Sequence, residues 1–279
     1  MILNMFVALF TSVPQKLIFS GLLLYASITG ASLEGTEKTN TTTSNNTAAI
    51  SSTNNFITSS SLKGIDVSRW QKEVDWPLVK EAEVSFAFVK ATQSDFRQDP
   101  YFYRNWEETK RVGIKRGAYH FFIPTAPIQG QIDNFKATVR LEPGDLPPVL
   151  DIEVAAANMS GEELRQNIRT WLEGITEHYG IKPIIYTNQT YYRRWLQGHF
   201  QEYHFWIARY NTAEPDVHHT DRWLFWQYSD RGNIPGISAA VDMNFFVGDW
   251  DTLHLMCLPE FVQANENPLM QFKHIQPLP

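Results

Sequence analysis

The sequence predicts an α/β protein: a compact (β/α) TIM-like barrel of eight strands with fewer helices than strands, preceded by a signal segment and a disordered linker. Three observations lead there. Between Leu62 and Leu253 short apolar runs alternate with amphipathic stretches, the pattern of βα units around a parallel sheet. Eight such runs fall within about 190 residues, whereas a typical barrel takes roughly 250, so some crossover helices must be short or absent. Acidic and aromatic residues gather toward the ends of the runs, where a barrel opens onto its chemistry. A doubly wound open sheet is the competing architecture.

Taken in order, residues 1–32 run from Lys16 through an apolar stretch to the small residues Gly30, Ala31 and Ser32. This is the layout of a secretory signal and predicts export, to the medium or to the periplasm and cell envelope. The apolar start "MILNMFVALF" makes an uncleaved membrane tether the alternative, although Pro14, Gln15 and Lys16 interrupt it. Residues 33–61 are almost entirely Ser, Thr and Asn; with so little to bury they cannot offset the entropy of ordering and read as a flexible linker. Residues 62–253 form the expected barrel domain. Residues 254–279 are a C-terminal extension that matches no pattern.

Within the barrel the expected strands are "KGIDVS", "FAFVKAT", "RGAYHFF", "PPVLDIE", "KPIIYT", "YHFWIARY", "WLFWQYS" and "AVDMNFF". The clearest helix starts at Ser160, with Glu163 completing a capping box. It places Leu164, Ile168, Trp171, Leu172 and Ile175 on one stripe and stops at Gly180. The last two loops, between "YHFWIARY", "WLFWQYS" and "AVDMNFF", carry Pro, Gly and Asp without an apolar stripe, so no helix is expected there.

Composition removes several classes of function. A net charge of −6 and a pI near 5.8 leave no basic field for nucleic acid or anionic lipid. The single cysteine, Cys257, rules out an internal disulfide framework and reads as a small apolar side chain. His120 stands alone in its motif, His218 and His219 fall in a loop, and no ligand spacing appears, so no metal is expected. Serine-nucleophile elbows, dinucleotide fingerprints and phosphate loops are missing too, so no cofactor is expected. Nothing in the pattern calls for more than a monomer.

What remains is the acids. Asp151 and Glu153 stand two apart in a strand, so they face one side with Cα atoms about 6.6–6.8 Å apart, while Ile152 and Val154 face the other. Asp66, with Ser68 two positions on, belongs to the first strand, and Asp242, with Asn244, to the last; in a closed barrel these are neighbours. Four converging carboxylates would raise at least one pKa toward neutrality, where a general acid works. Tyr119, His120, Tyr186, Trp206, Trp226 and Gln227 also lie toward strand ends. Taken singly, each acid has a structural reading as a turn cap or an ion-pair partner. Together with aromatic platforms, they supply what polysaccharide cleavage requires: an acid for the leaving oxygen, a negative group near the anomeric carbon, and rings against the sugars.

The blocks "GIDVSRWQKEVDW", "FAFVKATQ", "DPYFYRNWEETKRVGIKRGAYHFF", "PPVLDIE", "KPIIYTN", "FWIARYN" and "WLFWQYSDRGNIPGISAAVDMNFF" resemble, in order, those of glycoside hydrolase family 25, the Chalaropsis-type lysozymes. The resemblance spans Gly64 to about Trp250. It implies an eight-stranded barrel and hydrolysis of the β-1,4 bond between N-acetylmuramic acid and N-acetylglucosamine in the glycan strands of peptidoglycan. Position by position it implies Glu153 as general acid, Asp151 as its partner, and Asp66 and Asp242 as the other active-site acids. Tyr119, Tyr186 and Trp206, and with them Gln227, match sugar-contacting positions. Gln93 and Ser94 depart from the acidic residue and glycine that commonly follow "KAT" in the family. Three mechanisms stay open at this point: assistance by the substrate acetamido group with Asp151 polarising its N–H, direct attack by Asp151, or inversion with Asp151 as base. A different glycosidase, such as one acting on chitin, and a silent glycan-binding protein are the alternatives to a muramidase.

Overall fold

The computed structural model describes residues 61–210 and 214–259. The signal segment, almost all of the linker and residues 260–279 of the extension lie outside the described residues. In chain order the elements are β1 (Leu62–Val67), α1 (Trp76–Glu81), β2 (Phe86–Gln93), β3 (Arg97–Gln98), α2 (Phe102–Arg111), β4 (Lys115–Phe121), α3 (Ile128–Thr138) and β5 (Val149–Asp151). There follow α4 (Gly161–Tyr179), β6 (Ile184–Asn188), α5 (Gln189–Tyr191) with a π turn at Tyr192–Leu196, β7 (His204–Ala208), β8 (Arg222–Gly232), β9 (Val241–Phe246) and α6 (Trp250–Met256). All eight expected strands are present.

In α1 and α4 the sequence offers both a cap and a buried stripe. Asp75 accepts from the Leu78 amide to start α1, with Pro77 in the first turn where its missing N–H costs nothing. Ser160 caps α4 by accepting from the Glu163 amide, and Gly180, at φ 71°, ends it in the left-handed conformation that glycine tolerates best. The buried face of α4 is Leu164, Ile168, Trp171, Leu172 and Ile175, the stripe expected from its spacing.

The strands run β1-β9-β8-β7-β6-β5-β4-β2 around the cylinder, and pairing of β1 with β2 closes it, which excludes the open sheet. The two-residue β3 only pairs with the end of β2. β9 breaks the expected all-parallel arrangement: it is antiparallel to both β8 and β1. Residues 233–240 are too few for a crossover, which takes a dozen or more, so they return as a hairpin and reverse the last strand.

Alternation along each strand divides the side chains between two cores. Ile65, Val67, Ala118, Leu150, Ile185 and Ile207 point outward and pack against the helices. Phe86, Phe88, Val149, Ile184, Trp206, Phe225 and Phe246 point inward and fill the cylinder. Gly64 and Gly117 make room for two of those rings. A Cβ at Gly64 would lie 2.3 Å from the Phe86 ring, and one at Gly117 2.6 Å from Phe88.

Leu253 of α6 and the following Cys257 join the inner cluster, so α6 closes the end of the barrel where the parallel strands begin. Leu258 fixes that seal by exchanging backbone hydrogen bonds with Gly144 (2.8 Å) and Asp145 (2.7 Å). The helix thus crosses the domain boundary expected at residue 253.

Because the inner core is close-packed, Gly64→Ala must displace Phe86. The expected loss is about 1–3 kcal/mol, read as a lower urea midpoint with unchanged slope. A midpoint equal to that of the native sequence would mean the ring has room that the packing denies it.

Candidate active site

At the open mouth, the reversal of β9 sets the register Asp66↔Asp242, two carboxylates directly opposite on neighbouring strands. Such pairs hold their Cβ atoms about 4.5–5.5 Å apart, and like charges there repel. Donors on the surrounding strands offset the cost. Asp66 Oδ2 accepts from Gln227 Nε2 (2.8 Å) and from Asn244 Nδ2 (2.9 Å). The indole of Trp206 can only donate, and it donates to Asn244 Oδ1 at 2.8 Å, which turns the amide so that its NH₂ meets Asp66. Likewise the hydroxyls of Tyr186 (2.9 Å) and Tyr210 (2.7 Å) donate to Gln227 Oε1, leaving Nε2 for Asp66.

Asp151 ends β5, level with Phe121 of β4 and Tyr186 of β6. Beyond it the chain stays extended because its backbone is held: Ile152 N donates to Tyr186 O (2.9 Å), Thr187 Oγ1 to Ile152 O (2.6 Å) and Tyr191 Oη to Val154 O (3.0 Å). Strand alternation therefore continues, and Glu153 returns to the side of Asp151.

Burial pushes the Glu153 carboxyl up to about 7, aided by the Asp242 charge and opposed by Lys90. Burial, then the Glu153 charge, raises Asp151 well above the carboxylate range, again against Lys90. Two carboxyls so placed titrate as a pair and hold a proton between them near neutrality. Asp151 Oδ1 is buried and has no hydrogen-bond partner among the described residues.

Of the ten residues singled out from the sequence, eight face the inside of the barrel: Asp66, Tyr119, Asp151, Glu153, Tyr186, Trp206, Gln227 and Asp242. Trp206, 2% exposed, stacks on Phe88 at 4.5 Å and forms the floor beneath the mouth, not a surface for a sugar. His120 and Trp226 are corrections. Since Tyr119 points in, His120 points out. It lies against Trp171 (5.5 Å) with its ring nitrogens bonded to Thr92 (2.7 Å) and Gln131 (3.0 Å), and burial lowers its pKa to about 4. Since Gln227 points in, Trp226 points out, donating to Arg209 O at 2.8 Å.

Two mouth residues escaped sequence reasoning. Tyr210 follows β7 and is 38% exposed at the rim. Lys90 sits in β2, level with Tyr119, its ammonium 4.5 Å from the Phe121 ring centroid. The signal for Lys90 was legible: a lysine inside the apolar run "FAFVKAT", in phase with Phe86 and Phe88.

Among the described residues no group of three His, Cys, Asp or Glu side chains is arranged to hold a metal. A surface hollow of about 760 Å³, bordered by Glu73, Trp76, Arg104, Glu108 and Arg111, contains none of the mouth acids. Its Glu108 and Arg111 satisfy each other at 2.7 Å.

A closed barrel with carboxylates from three strands at one mouth and tyrosines around them defines a glycosidase. The chain belongs to glycosyl hydrolases family 25, whose family model matches residues 65–237. It is 42% identical over 202 residues to the protein YegX of Escherichia coli O157:H7, covering 70% of this chain and 73% of that one. With Lysozyme M1 of Streptomyces globisporus it shares 36% identity over 205 residues, 68% of this chain and 69% of the relative. Among solved structures, the bacterial lysozyme from Streptomyces coelicolor superposes with a TM-score of 0.68 at 32% identity, covering 71% of this chain and 98% of the other.

The raised Glu153 gives the fold a pH dependence of known sign. Between the ordinary carboxylate range and about 7 the folded protein holds a proton that the unfolded chain has released, so stability falls as pH rises through that window. Glu153→Gln removes the penalty. It is expected to raise the urea midpoint relative to the native sequence at about pH 8 and to change it little at about pH 4. Equal gains at both would assign the effect to another group.

Proposed function

We propose that the protein is a lysozyme-type N-acetylmuramidase that hydrolyses the β-1,4 bond between N-acetylmuramic acid and N-acetylglucosamine in peptidoglycan. The observation that carries this reading is the pairing of buried Asp151 with partly buried Glu153 beside the Asp66–Asp242 charges. One carboxyl is held near neutrality for proton donation, in a mouth already rich in negative charge. Family membership and the similarity to Lysozyme M1 support the substrate class.

Glu153 protonates the glycosidic oxygen as its bond to the anomeric carbon breaks. Asp66 and Asp242 provide negative charge that favours the oxocarbenium-like transition state. The orphan Oδ1 of Asp151 accepts the N–H of the substrate's 2-acetamido group, whose carbonyl oxygen attacks the anomeric carbon from the opposite face. Water then opens the resulting ring, giving its proton to Glu153, and the configuration is retained. Tyr119, Tyr186 and Tyr210 border the mouth, while Gln227 holds Asp66.

Residues 1–32 support export to the envelope, where this glycan lies, with the protein acting as a monomer at the end of the 33–61 linker. Among the described residues no helix is long and apolar enough to cross a membrane.

Digestion of purified peptidoglycan, followed by mass spectrometry, is expected to release muropeptides with reducing muramic acid; reducing N-acetylglucosamine would overturn the bond assignment. NMR of the first-formed anomer is expected to give retention, and inversion would eliminate the acetamido route. Glu153→Gln is expected to lose turnover by about 100-fold or more while glycan binding persists.

A further inference from the structure

Beside the acidic mouth lies a small hollow lined by the cations Arg69, Lys90 and Arg97, together with Gln93 and Asp99. It is built from the loop after β1 and the hairpin after β2, both at the ends of parallel strands that open onto the mouth. A bulge between Lys90 and Thr92 takes Ala91 out of the β4 ladder and brings Gln93 level with Phe121, so that Lys90 Nζ donates to Gln93 Oε1 at 3.2 Å. Arg97 stands directly opposite Gln93 on β3. The hairpin is pinned to α3: Asn134 Nδ2 donates to Ser94 O (3.0 Å) and Arg97 O (3.2 Å), and Gln98 Nε2 donates to Thr138 Oγ1 (2.9 Å). Asp99 ties the Arg69 loop to it, accepting from the Arg69 amide (2.9 Å) with one oxygen and from the Tyr101 amide (3.0 Å) with the other. Asp95, at the hairpin tip, accepts from Ser94 Oγ (2.9 Å). Neither acid pairs with a guanidinium.

Arg69 and Arg97 are exposed and, among the described residues, have no ion-pair partner. Each lies near an exposed ring: Arg69 Cζ is 4.8 Å from the Trp70 centroid and Arg97 Cζ 5.8 Å from that of Phe96. Such contacts order a guanidinium without neutralising it. We propose that this hollow binds a carboxylate carried on the muramic acid residue of the substrate, either the 3-O-lactyl carboxylate itself or a carboxylate of the peptide attached through it. The inference rests on the muramidase reading of the neighbouring mouth. Arginine forks match carboxylate geometry, and an anion drawn to this edge is kept out of the mouth itself by Asp66, Asp151, Glu153 and Asp242. Gln93, Phe121 and Asp151 are level on neighbouring strands, so strand spacing puts Gln93 on the order of 10 Å from Asp151. A substituent reaching away from the sugar bridges that gap, whereas the ring over the acids does not. N-acetylglucosamine carries no such arm, so the hollow tells the two sugars of the strand apart and helps to set which linkage lies over Glu153.

The test measures kcat/KM of the full chain on two pairs of substrates: glycan strands stripped of peptide and the same strands with lactyl carboxyls converted to methylamides, and peptidoglycan with its peptide carboxyls free or amidated. Replacing both arginines, Arg69→Gln with Arg97→Gln, is expected to lower the ratio of kcat/KM on a carboxylate-bearing substrate to that on its neutral counterpart about tenfold, through KM. A fall within the stripped pair assigns the lactyl carboxylate, and a fall confined to the peptide-bearing pair assigns the peptide. Gln93→Glu, which sets a counter-charge opposite Arg97, is expected to lower the same ratio by less. A ratio that stays unchanged in both pairs, whether or not the rates themselves fall, is what a structural role would give and overturns the proposal. Binding of the charged and neutral strands to Glu153→Gln reads the hollow without turnover, and the preference for the charged strand is expected to vanish when the arginines are replaced; a preference that persists also overturns the proposal. If the native sequence cleaves none of the four substrates while that preference still depends on the arginines, the muramidase reading falls and the carboxylate site stands.

Discussion

Asp66 and Asp242 are held face to face by the antiparallel register of β1 and β9, and the mouth is organised around keeping those two charges where water is scarce. Repulsion between them is offset by a relay of donors running inward from the aromatic floor. Trp206 fixes Asn244, Tyr186 and Tyr210 fix Gln227, and both amides converge on one oxygen of Asp66. Every member is oriented by the one behind it, so a network of this kind specifies geometry as well as satisfying buried groups. Across that pair, the charge of Asp242 is what, after burial itself, most lifts Glu153 toward neutrality.

The packed lower barrel makes that arrangement rigid. Phe86, Phe88 and Phe225 meet edge to face below the mouth, with centroids 5.2 to 5.7 Å apart, and Trp206 lies on Phe88. Such contacts tolerate little displacement, since aromatic pairs have preferred geometries and close-packed cores transmit strain. The glycines at 64 and 117 belong to the same design, because the rings occupy the volume that their side chains would take.

Much of this was legible from residue order. The eight strands, the cap and stripe of α4, and the inward pairing of Asp151 with Glu153 follow from period-2 and period-3.6 patterns that tertiary context does not alter. Strand parity also carries information that strand-end position lacks: Tyr119 and Gln227 inside require His120 and Trp226 outside. Depth is another matter. Nothing local distinguishes a rim aromatic from a floor aromatic, which is why Trp206 resembled a sugar platform. The reversal of β9 lay in the shortness of residues 233–240, but its result, Asp66 opposite Asp242, depends on a register between strands some 180 residues apart, which local pattern does not encode. Lys90 was visible as a charge within an apolar run, yet its meaning depends on which acids surround it.

The seal at the far end of the cylinder bears on how a long polymer can be handled. With the cylinder filled by the rings of Phe86, Phe88, Trp206, Phe225 and Phe246, and α6 closing its far end through Leu253 and Cys257, the mouth is a blind socket and not a tunnel. A glycan strand cannot be threaded through it and paid out behind. The chain must lie across the rim, be cut where a single linkage dips toward the acids, and leave sideways, so internal bonds of a cross-linked mesh are as accessible as its ends.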